Sequence, residues 1–97
     1  MNVHVKLFGV FRSAAKTNEL NLQVPDATPT VKAVISQLLS TESGASLRQL
    51  LLDSEAADPR PNALIMVSGR EIGTLDGLET RLKKDDELSL LPVAHGG

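Results

Sequence analysis

The sequence contains no cysteine, and this absence excludes several kinds of chemistry. None of its 97 residues can form a disulfide bond, act as a thiolate nucleophile or complete a zinc-thiolate site. Small secreted scaffolds usually depend on disulfide bonds, so secretion is disfavoured. The two histidines, His4 and His95, lie near opposite ends of the chain and lack the spacing of metal ligands. We therefore predict no metal site, and we expect any sulfur chemistry to use sulfur from another molecule.

The sequence also has few aromatic residues, no long apolar run and no excess of positive charge. Two phenylalanines without Tyr or Trp, and a formal net charge of −2, supply neither the stacking rings nor the basic face of a nucleic-acid binder. No apolar run approaches the roughly 20 residues that span a bilayer, and the first six residues lack the layout of a signal peptide. We expect a cytoplasmic protein that binds neither nucleic acid nor membrane directly. Its length and its 41% hydrophobic content fit one small domain with a single core.

Alternating apolar residues in the first part of the chain predict two strands. Those of the first strand are Val3, Val5 and Leu7. Those of the second strand are Leu20, Leu22 and Val24. This period of two is typical of a strand with one face toward a core, and Pro25-Asp26 ends the second run. We predict a hairpin of the two strands, joined by a connection over residues 9–18.

A capping signal and a helical period predict one main helix after the hairpin. Thr28-Pro29 matches an N-cap followed by proline at the first helical position. The apolar residues that follow recur at the spacing of one helix face, and they are Val31, Val34, Ile35, Leu38 and Leu39. Ser43-Gly44 is predicted to end this helix. The segment from Ser46 to Gln49 matches a capping box that opens a short second helix through Leu51.

Three further strands are predicted in the second half of the chain. Residues 63–67 are apolar at every position, which indicates a strand covered on both faces and therefore a central place in the sheet. Glu71-Ile72 is predicted to be a brief strand. A last, buried strand from Glu87 to Leu91 runs into Pro92, which cannot donate to a ladder. This order of elements predicts an α+β roll, a mixed sheet of four to five strands with one main helix across one face.

The sequence ends in Gly96-Gly97, where we expect the chemistry to take place. Glycine has no Cβ, so two in succession form a thread that a narrow active site admits. From Val93 to Gly97 the chain can extend roughly 16 to 18 Å. A terminal carboxylate is anionic at neutral pH and a poor electrophile, so a partner must activate it. A frayed end is the alternative, but a buried strand that leads directly into the tail favours a functional end.

Four features of the sequence together resemble a known family. They are Val5-Lys6-Leu7-Phe8 followed by Phe11-Arg12, the capped helix after Pro25-Asp26, the segment from Asp86 to Val93, and the final Gly96-Gly97. They resemble the β-grasp sulfur carriers and ubiquitin-like modifiers, which include the MoaD small subunit of molybdopterin synthase, the small archaeal modifier proteins and the ubiquitin-related modifier. The resemblance implies a β-grasp (ubiquitin-like) domain over residues 1–92 and a flexible diglycine tail over residues 93–97.

The resemblance also implies that Gly97 is the residue that is modified. An E1-like adenylyltransferase would use Mg-ATP to adenylate its carboxylate, and sulfur from a persulfide enzyme would displace AMP to leave a thiocarboxylate. The same carbonyl carbon can instead form an isopeptide bond with a lysine of a target protein. The chain would then be a carrier, monomeric on its own and without a stably bound cofactor. A large synthase subunit or a tRNA thiolase would receive its sulfur.

Three departures from the family pattern bear on the pathway. Asp85 stands where the family usually has glycine before an acidic pair, and aspartate still tolerates left-handed backbone geometry. Only Pro92 is present where two prolines are common, and His95 replaces the small residue typical of MoaD. A His-Gly-Gly end is more similar to the ubiquitin-related modifier. It favours tRNA thiolation or protein modification, without separating these from molybdenum-cofactor synthesis or sulfur transfer in amino-acid synthesis.

The base of the tail is expected to be gripped by the activating enzyme. The residues expected to take part in this recognition are Pro92, Val93, His95 and Gly96. Leu91 is expected to belong to an exposed apolar docking surface. Phe8 has two interpretations, as a neighbour of Leu91 in that surface or as an ordinary core residue, and the pattern favours the core.

Two other functions stay open at this point. A β-grasp adaptor would dock through its sheet or its edge strand and would never have its terminus activated. A stand-alone enzyme would need paired carboxylates, a nucleophile beside a base or a glycine-rich phosphate loop, and none occurs at the required spacing. Ser68-Gly69-Arg70 and Asp85-Asp86-Glu87 are typical of turns. We therefore predict a carrier or modifier rather than an enzyme.

Overall fold

A five-stranded mixed sheet with helices on one face forms the structure, a computed structural model that describes residues 1–52 and 58–93. The strands are β1 (Asn2–Leu7), β2 (Glu19–Gln23), β3 (Ala63–Val67), β4 (Arg70–Glu71) and β5 (Glu87–Pro92). The helices are α1 (Gly9–Ala15), α2 (Val31–Leu39) and α3 (Gly44–Leu51). Two 3-10 turns, Ile72–Thr74 and Gly77–Glu79, lie between β4 and β5.

The strands lie in the order β2-β1-β5-β3-β4. β1 and β2 form the predicted antiparallel hairpin. β1 is parallel to β5, while β3 is antiparallel to both β5 and β4. The mixed sheet and the α+β roll are therefore confirmed. The brief strand predicted at Glu71-Ile72 is also present, but it begins one residue earlier, at Arg70, and Ile72 already belongs to a 3-10 turn.

The core lies between the sheet and the helices. Its fully buried strand residues include Val3, Val5, Leu88 and Leu90. Those from the helices include Val31, Val34, Leu38, Leu47 and Leu51. Burying a side chain of this size stabilises the fold by roughly 1.5 to 3 kcal/mol. No helix within residues 1–52 and 58–93 is long and apolar enough to cross a membrane.

The prediction that residues 63–67 form the central strand is wrong. β5 is central, because its parallel pairing with β1 inserts it between β1 and β3. Only one face of β3 is buried: Ala63, Ile65 and Val67 point to the core, whereas Leu64 is 38% exposed. The uninterrupted apolar run therefore indicates an apolar open face rather than a second covering layer.

The predicted connection over residues 9–18 contains a helix, α1, that the sequence pattern did not indicate. α1 has seven residues and buries only Phe11, so it shows no helical period. Its first hydrogen bonds go to the carbonyl of Phe8, which accepts from the N–H groups of Phe11 (3.1 Å) and Arg12 (3.4 Å). Phe8 also donates its N–H to the carbonyl of Leu90 (3.2 Å). In a parallel ladder the carbonyl of Phe8 would accept from residue 92, but Pro92 has no N–H, so that carbonyl is available to α1.

The main helix begins at Val31, two residues later than predicted. Its N-cap is Thr30, whose side chain accepts a hydrogen bond from the N–H of Ala33 (3.1 Å). Pro29 is held outside the helix, because its carbonyl accepts from the N–H of Leu82 (2.8 Å) and Val31 donates to the carbonyl of Thr80 (2.8 Å). This bridge to a distant segment keeps residues 29 and 30 extended, so a tertiary contact overrides the local capping signal.

The short second helix is confirmed, but the predicted capping box at Ser46 is wrong. α2 ends at Leu39, and α3 already begins at Gly44, so Ser46 lies inside α3. An added Cβ at Gly44 would clash with the carbonyl group of Leu39. Gly44 is therefore required by the close approach of α3 to the end of α2.

The left-handed geometry allowed at Asp85 is present in the structure, with a φ of 71°. We expect Asp85→Gly to leave the free energy of unfolding unchanged or to raise it by up to about 1 kcal/mol, because glycine has no Cβ penalty there. Asp85→Val should lower it by about 1 to 2 kcal/mol, because a β-branched residue is strained at positive φ. Urea denaturation measures both changes. Lys84→Val, at the neighbouring exposed position without positive φ, is the control, and equal losses at positions 84 and 85 would contradict the assignment.

Candidate functional site

The candidate site is the end of the sheet from which the tail leaves the domain. β5 carries the chain to this end, and Leu88 and Leu90 anchor it in the core with no exposed area. The last described residue, Val93, is 38% exposed, and its N–H donates to the carbonyl of Asn62 (3.2 Å). The predicted recognition residues His95 and Gly96, and the predicted modified residue Gly97, lie outside the described residues.

Gly9 lies beside Pro92 at this end of the sheet. The parallel register of β1 and β5, in which Leu7 pairs with Leu90, continues past the end of β1 and brings the two residues together. Gly9 has a φ of +56°, and an added Cβ would lie 2.7 Å from Cγ and 3.2 Å from Cδ of Pro92. The proline ring therefore fills the space that a side chain at position 9 would need.

Asn62 holds the other side of the tail base. Its side-chain amide donates to the carbonyl of Leu51 at the end of α3 (3.1 Å), and its backbone N–H donates to the carbonyl of Pro59 (3.0 Å). Asp58 braces this turn, because its carboxylate accepts hydrogen bonds from the backbone N–H and the guanidinium of Arg60. The hydrogen bond from the guanidinium lowers the pKa of Asp58, so its carboxylate stays ionised to a lower pH than an ordinary aspartate.

An apolar patch, named the docking patch for its expected role, occupies the open face of the sheet next to the tail base. It consists of Phe8, Leu64, Met66 and Leu91. Leu64 and Leu91 are paired across β3 and β5, and Phe8 follows Leu7, the partner of Leu90. Phe8 is 42% and Leu64 38% exposed, while Met66 and Leu91 are half-buried. Contiguous exposed apolar side chains next to a functional segment are typical of a protein interaction surface.

The interpretation of Phe8 as a core residue is wrong. Side chains alternate along β1, and Val3, Val5 and Leu7 take the core face, so Phe8 belongs to the opposite, open face. The exposed aromatic ring therefore supports the other interpretation, in which Phe8 and Leu91 lie together. Leu64 and Met66 were not predicted as site residues, although the unbroken apolar run over residues 63–67 was a signal for them.

The rest of the open face is polar. Lys6 Nζ lies 3.5 Å from Glu87 Oε1, and His4 Nε2 lies 3.6 Å from Glu19 Oε2. Half-exposed pairs of this kind contribute little to stability. They do give the docking patch a polar border on the side of β2. Within residues 1–52 and 58–93 no group of three His, Cys, Asp or Glu side chains is placed to hold a metal ion.

Comparisons with known proteins identify related chains. The sequence model of the ThiS family matches residues 5–97. A protein of Archaeoglobus fulgidus named as a sulfur carrier is 34% identical over 89% of this chain and 94% of its own. Small archaeal modifier protein 3 of Haloferax volcanii is 30% identical over 100% of both chains. The crystal structure of SAMP1 from Haloferax volcanii shares the fold, with a TM-score of 0.83 at 20% identity over 100% of both chains.

Substitutions in the docking patch should lower the free energy of unfolding less than substitutions in the core. We expect Leu64→Thr to lower the free energy of unfolding by roughly 1 kcal/mol, because Leu64 is partly exposed and threonine retains strand propensity. Leu90→Ala should lower it by roughly 2 to 5 kcal/mol, because it leaves a cavity in the core. Chemical denaturation measures both. A loss at position 64 as large as that at position 90 would contradict the assignment of Leu64 to the surface.

Proposed function

This chain belongs to the ThiS family of ubiquitin-like sulfur carriers and small modifiers, and we propose that it acts through the carboxylate of Gly97. Its relatives are named as a sulfur carrier and a modifier, not as catalysts, which agrees with the prediction from the sequence. The observation that supports the proposal most is the anchoring of β5. A strand that is paired on both sides and anchored in the core by Leu88 and Leu90 ends at the surface, next to an apolar patch, and the sequence that follows it ends in Gly96-Gly97.

The proposed reaction takes place in the active site of an E1-like adenylyltransferase. A carboxylate oxygen of Gly97 attacks the α-phosphorus of Mg-ATP, and pyrophosphate leaves. The product is a mixed anhydride, whose carbonyl carbon accepts a nucleophile because AMP is a good leaving group. Both ATP and Mg²⁺ belong to the partner in this proposal. Because the reaction consumes ATP, we propose the cytoplasm as its location.

The activated carbon has two proposed outcomes. The terminal sulfur of a protein persulfide attacks it and AMP leaves; a second thiol then breaks the sulfur–sulfur bond, so that the thiocarboxylate is released and the persulfide protein is left in a disulfide. Alternatively, the amine of a target lysine attacks, loses a proton and forms an isopeptide bond. The His95-Gly96-Gly97 end favours tRNA thiolation or protein modification over molybdopterin synthesis. A tRNA thiolase, a large synthase subunit or lysine-bearing proteins are the proposed recipients.

The docking patch is proposed to hold the body of the carrier on the activating enzyme while the tail enters the active site. Apolar anchors at the centre of an interface usually carry most of its binding energy, and an aromatic residue beside leucines fits this role. The polar border formed by His4, Lys6 and Glu87 would lie at the rim, where charges affect orientation more than affinity.

Activation of Gly97 can be tested directly. Incubation with the E1-like enzyme from the same genome, ATP and a persulfide donor should exchange one oxygen of the chain for sulfur. Intact-mass spectrometry, followed by fragmentation, should locate the exchange at Gly97. The variant without Gly96 and Gly97 is the control and should stay unchanged. If the intact chain is never activated and the truncated chain supports cells equally well, the proposed function is wrong.

A tag fused after Gly97 separates a carrier from an adaptor. The fusion has no free carboxylate at Gly97, so a carrier should lose all activity in cells. An adaptor docks through its sheet and should retain it. Complementation of a deletion strain by the tagged and untagged chains measures the difference, and full activity of the tagged chain would favour the adaptor.

The docking patch should determine the affinity for the activating enzyme. We expect Phe8→Ser and Leu64→Thr each to raise the KM for the carrier in ATP–pyrophosphate exchange by about tenfold or more, because each removes an apolar anchor. Gln23→Ala is the control, since Gln23 is exposed at the far edge of the sheet on β2. A similar change in KM for Gln23→Ala, or no change for the patch variants, would place the enzyme on another surface.

A further inference from the structure

Gly9 and Pro92 fit each other more closely than their place in the sheet requires. The last ladder bond runs from the N–H of Phe8 to the carbonyl of Leu90, so the register places Gly9 beside Pro92 but no hydrogen bond joins the two residues. Nevertheless the Pro92 ring approaches the backbone of Gly9 so closely that a Cβ there would meet Cγ at 2.7 Å, shorter than real Cβ atoms allow. Both residues are exposed, so burial of apolar area in the core does not explain the contact.

The two residues have fixed backbones for separate reasons. The ring of Pro92 locks its own φ, and its pairing with Ala63 holds it at the end of β5. Gly9 is fixed because Phe8, just before it, is bonded on both sides: its N–H to Leu90 and its carbonyl to α1. Contact between two rigid groups restricts the direction in which the chain can leave the sheet after residue 92.

Asn62 completes this restriction from the opposite side. Its carbonyl accepts the N–H of Val93 (3.2 Å), and its side chain is tied to α3 through the carbonyl of Leu51 (3.1 Å). The chain at residues 92 and 93 therefore passes between the β1–α1 junction and the turn that presents Asn62. The backbone of residues 92 and 93 is thus held from both sides before any partner binds.

We propose that Gly9 is a positioning residue for the tail. The space over its backbone, a notch left by the missing side chain, receives the Pro92 ring and so sets the direction in which the chain leaves Pro92 toward the activating enzyme. This inference rests on the proposed function, because it assigns Gly9 to the delivery of Gly97. Preorganisation of this kind lowers the cost of ordering a flexible segment on binding, so its loss should weaken productive binding more than the chemical step.

Gly9→Ala tests the notch. We expect the KM for the carrier in ATP–pyrophosphate exchange to rise about tenfold, because the ring must move and the tail must be redirected, while kcat stays within about twofold. Gly77→Ala is the matched control. Gly77 has a φ of +60°, close to the +56° of Gly9, but its added Cβ would meet only Arg60 Nη1, at an ordinary 3.5 Å. Gly77→Ala thus carries the same backbone strain without the clash, and its KM should equal that of the parent chain.

A double-mutant cycle with Pro92→Ala separates the contact from every other effect of the substitutions. Alanine at position 92 lacks the Cγ and Cδ atoms that the added Cβ would meet, whereas backbone strain at position 9 is the same in both backgrounds. We therefore expect Gly9→Ala to raise KM in the Pro92 chain but hardly at all in the Pro92→Ala chain. Any direct contact of Pro92 with the enzyme is lost in both arms and cancels. If Gly9→Ala alone fails to fold, Pro92→Ala carries the test: its KM should rise, and the NMR order parameter of the Val93 amide should fall in the absence of the enzyme, where a direct contact with the enzyme cannot contribute.

The outcomes distinguish this inference from the proposed function. Suppose that the parent chain is activated while Gly9→Ala leaves KM unchanged, or while Gly9→Ala raises KM equally in the Pro92 and Pro92→Ala chains. Either result overturns the positioning role and leaves the proposed function intact. For a Gly9→Ala chain that does not fold, an unchanged KM or an unchanged order parameter for Pro92→Ala has the same meaning. A parent chain that is never activated overturns both.

Discussion

The parallel pairing of β1 with β5 is the interaction on which the rest of the structure depends. It joins β1 to β5 and places β5 between two strands, so that the segment leading to the tail is paired on both sides. Parallel strands need a long crossover, and the intervening elements provide it on one face only. The opposite face stays open, and the apolar side chains on it are available to a partner.

Pro92 connects the sheet to the helix that follows β1. Because it has no N–H, the ladder between β1 and β5 stops at the bond from Phe8 to Leu90, and the carbonyl of Phe8 begins α1 instead. Its ring also occupies the space over Gly9. One residue at the end of β5 therefore ends the pairing, allows a helix to begin and contacts the residue opposite it. These three effects meet at the base of the tail.

The apolar residues of β3 and β5 form two sets, one buried in the core and one on the open face. Along each strand one set of side chains fills the core, and the alternate set includes the leucines of the docking patch. The patch leaves apolar area in contact with water, which folding alone would disfavour. Its position beside the tail base agrees with the proposed function, in which the activating enzyme holds the body of the carrier there.

The sequence by itself determined the strands with alternating residues, the presence of the main helix and the family, because these depend on local spacing and on short motifs. It allowed a left-handed backbone at Asp85 without requiring it. Only the tertiary structure decided which strand is central, where α2 begins and which face Phe8 occupies. An apolar run does not reveal whether a protein layer or water covers its second face, and a capping signal at Pro29 cannot foresee a bridge to Leu82. The close contact of Gly9 with Pro92 likewise joins residues 83 positions apart, and only pairing between distant strands brings them together.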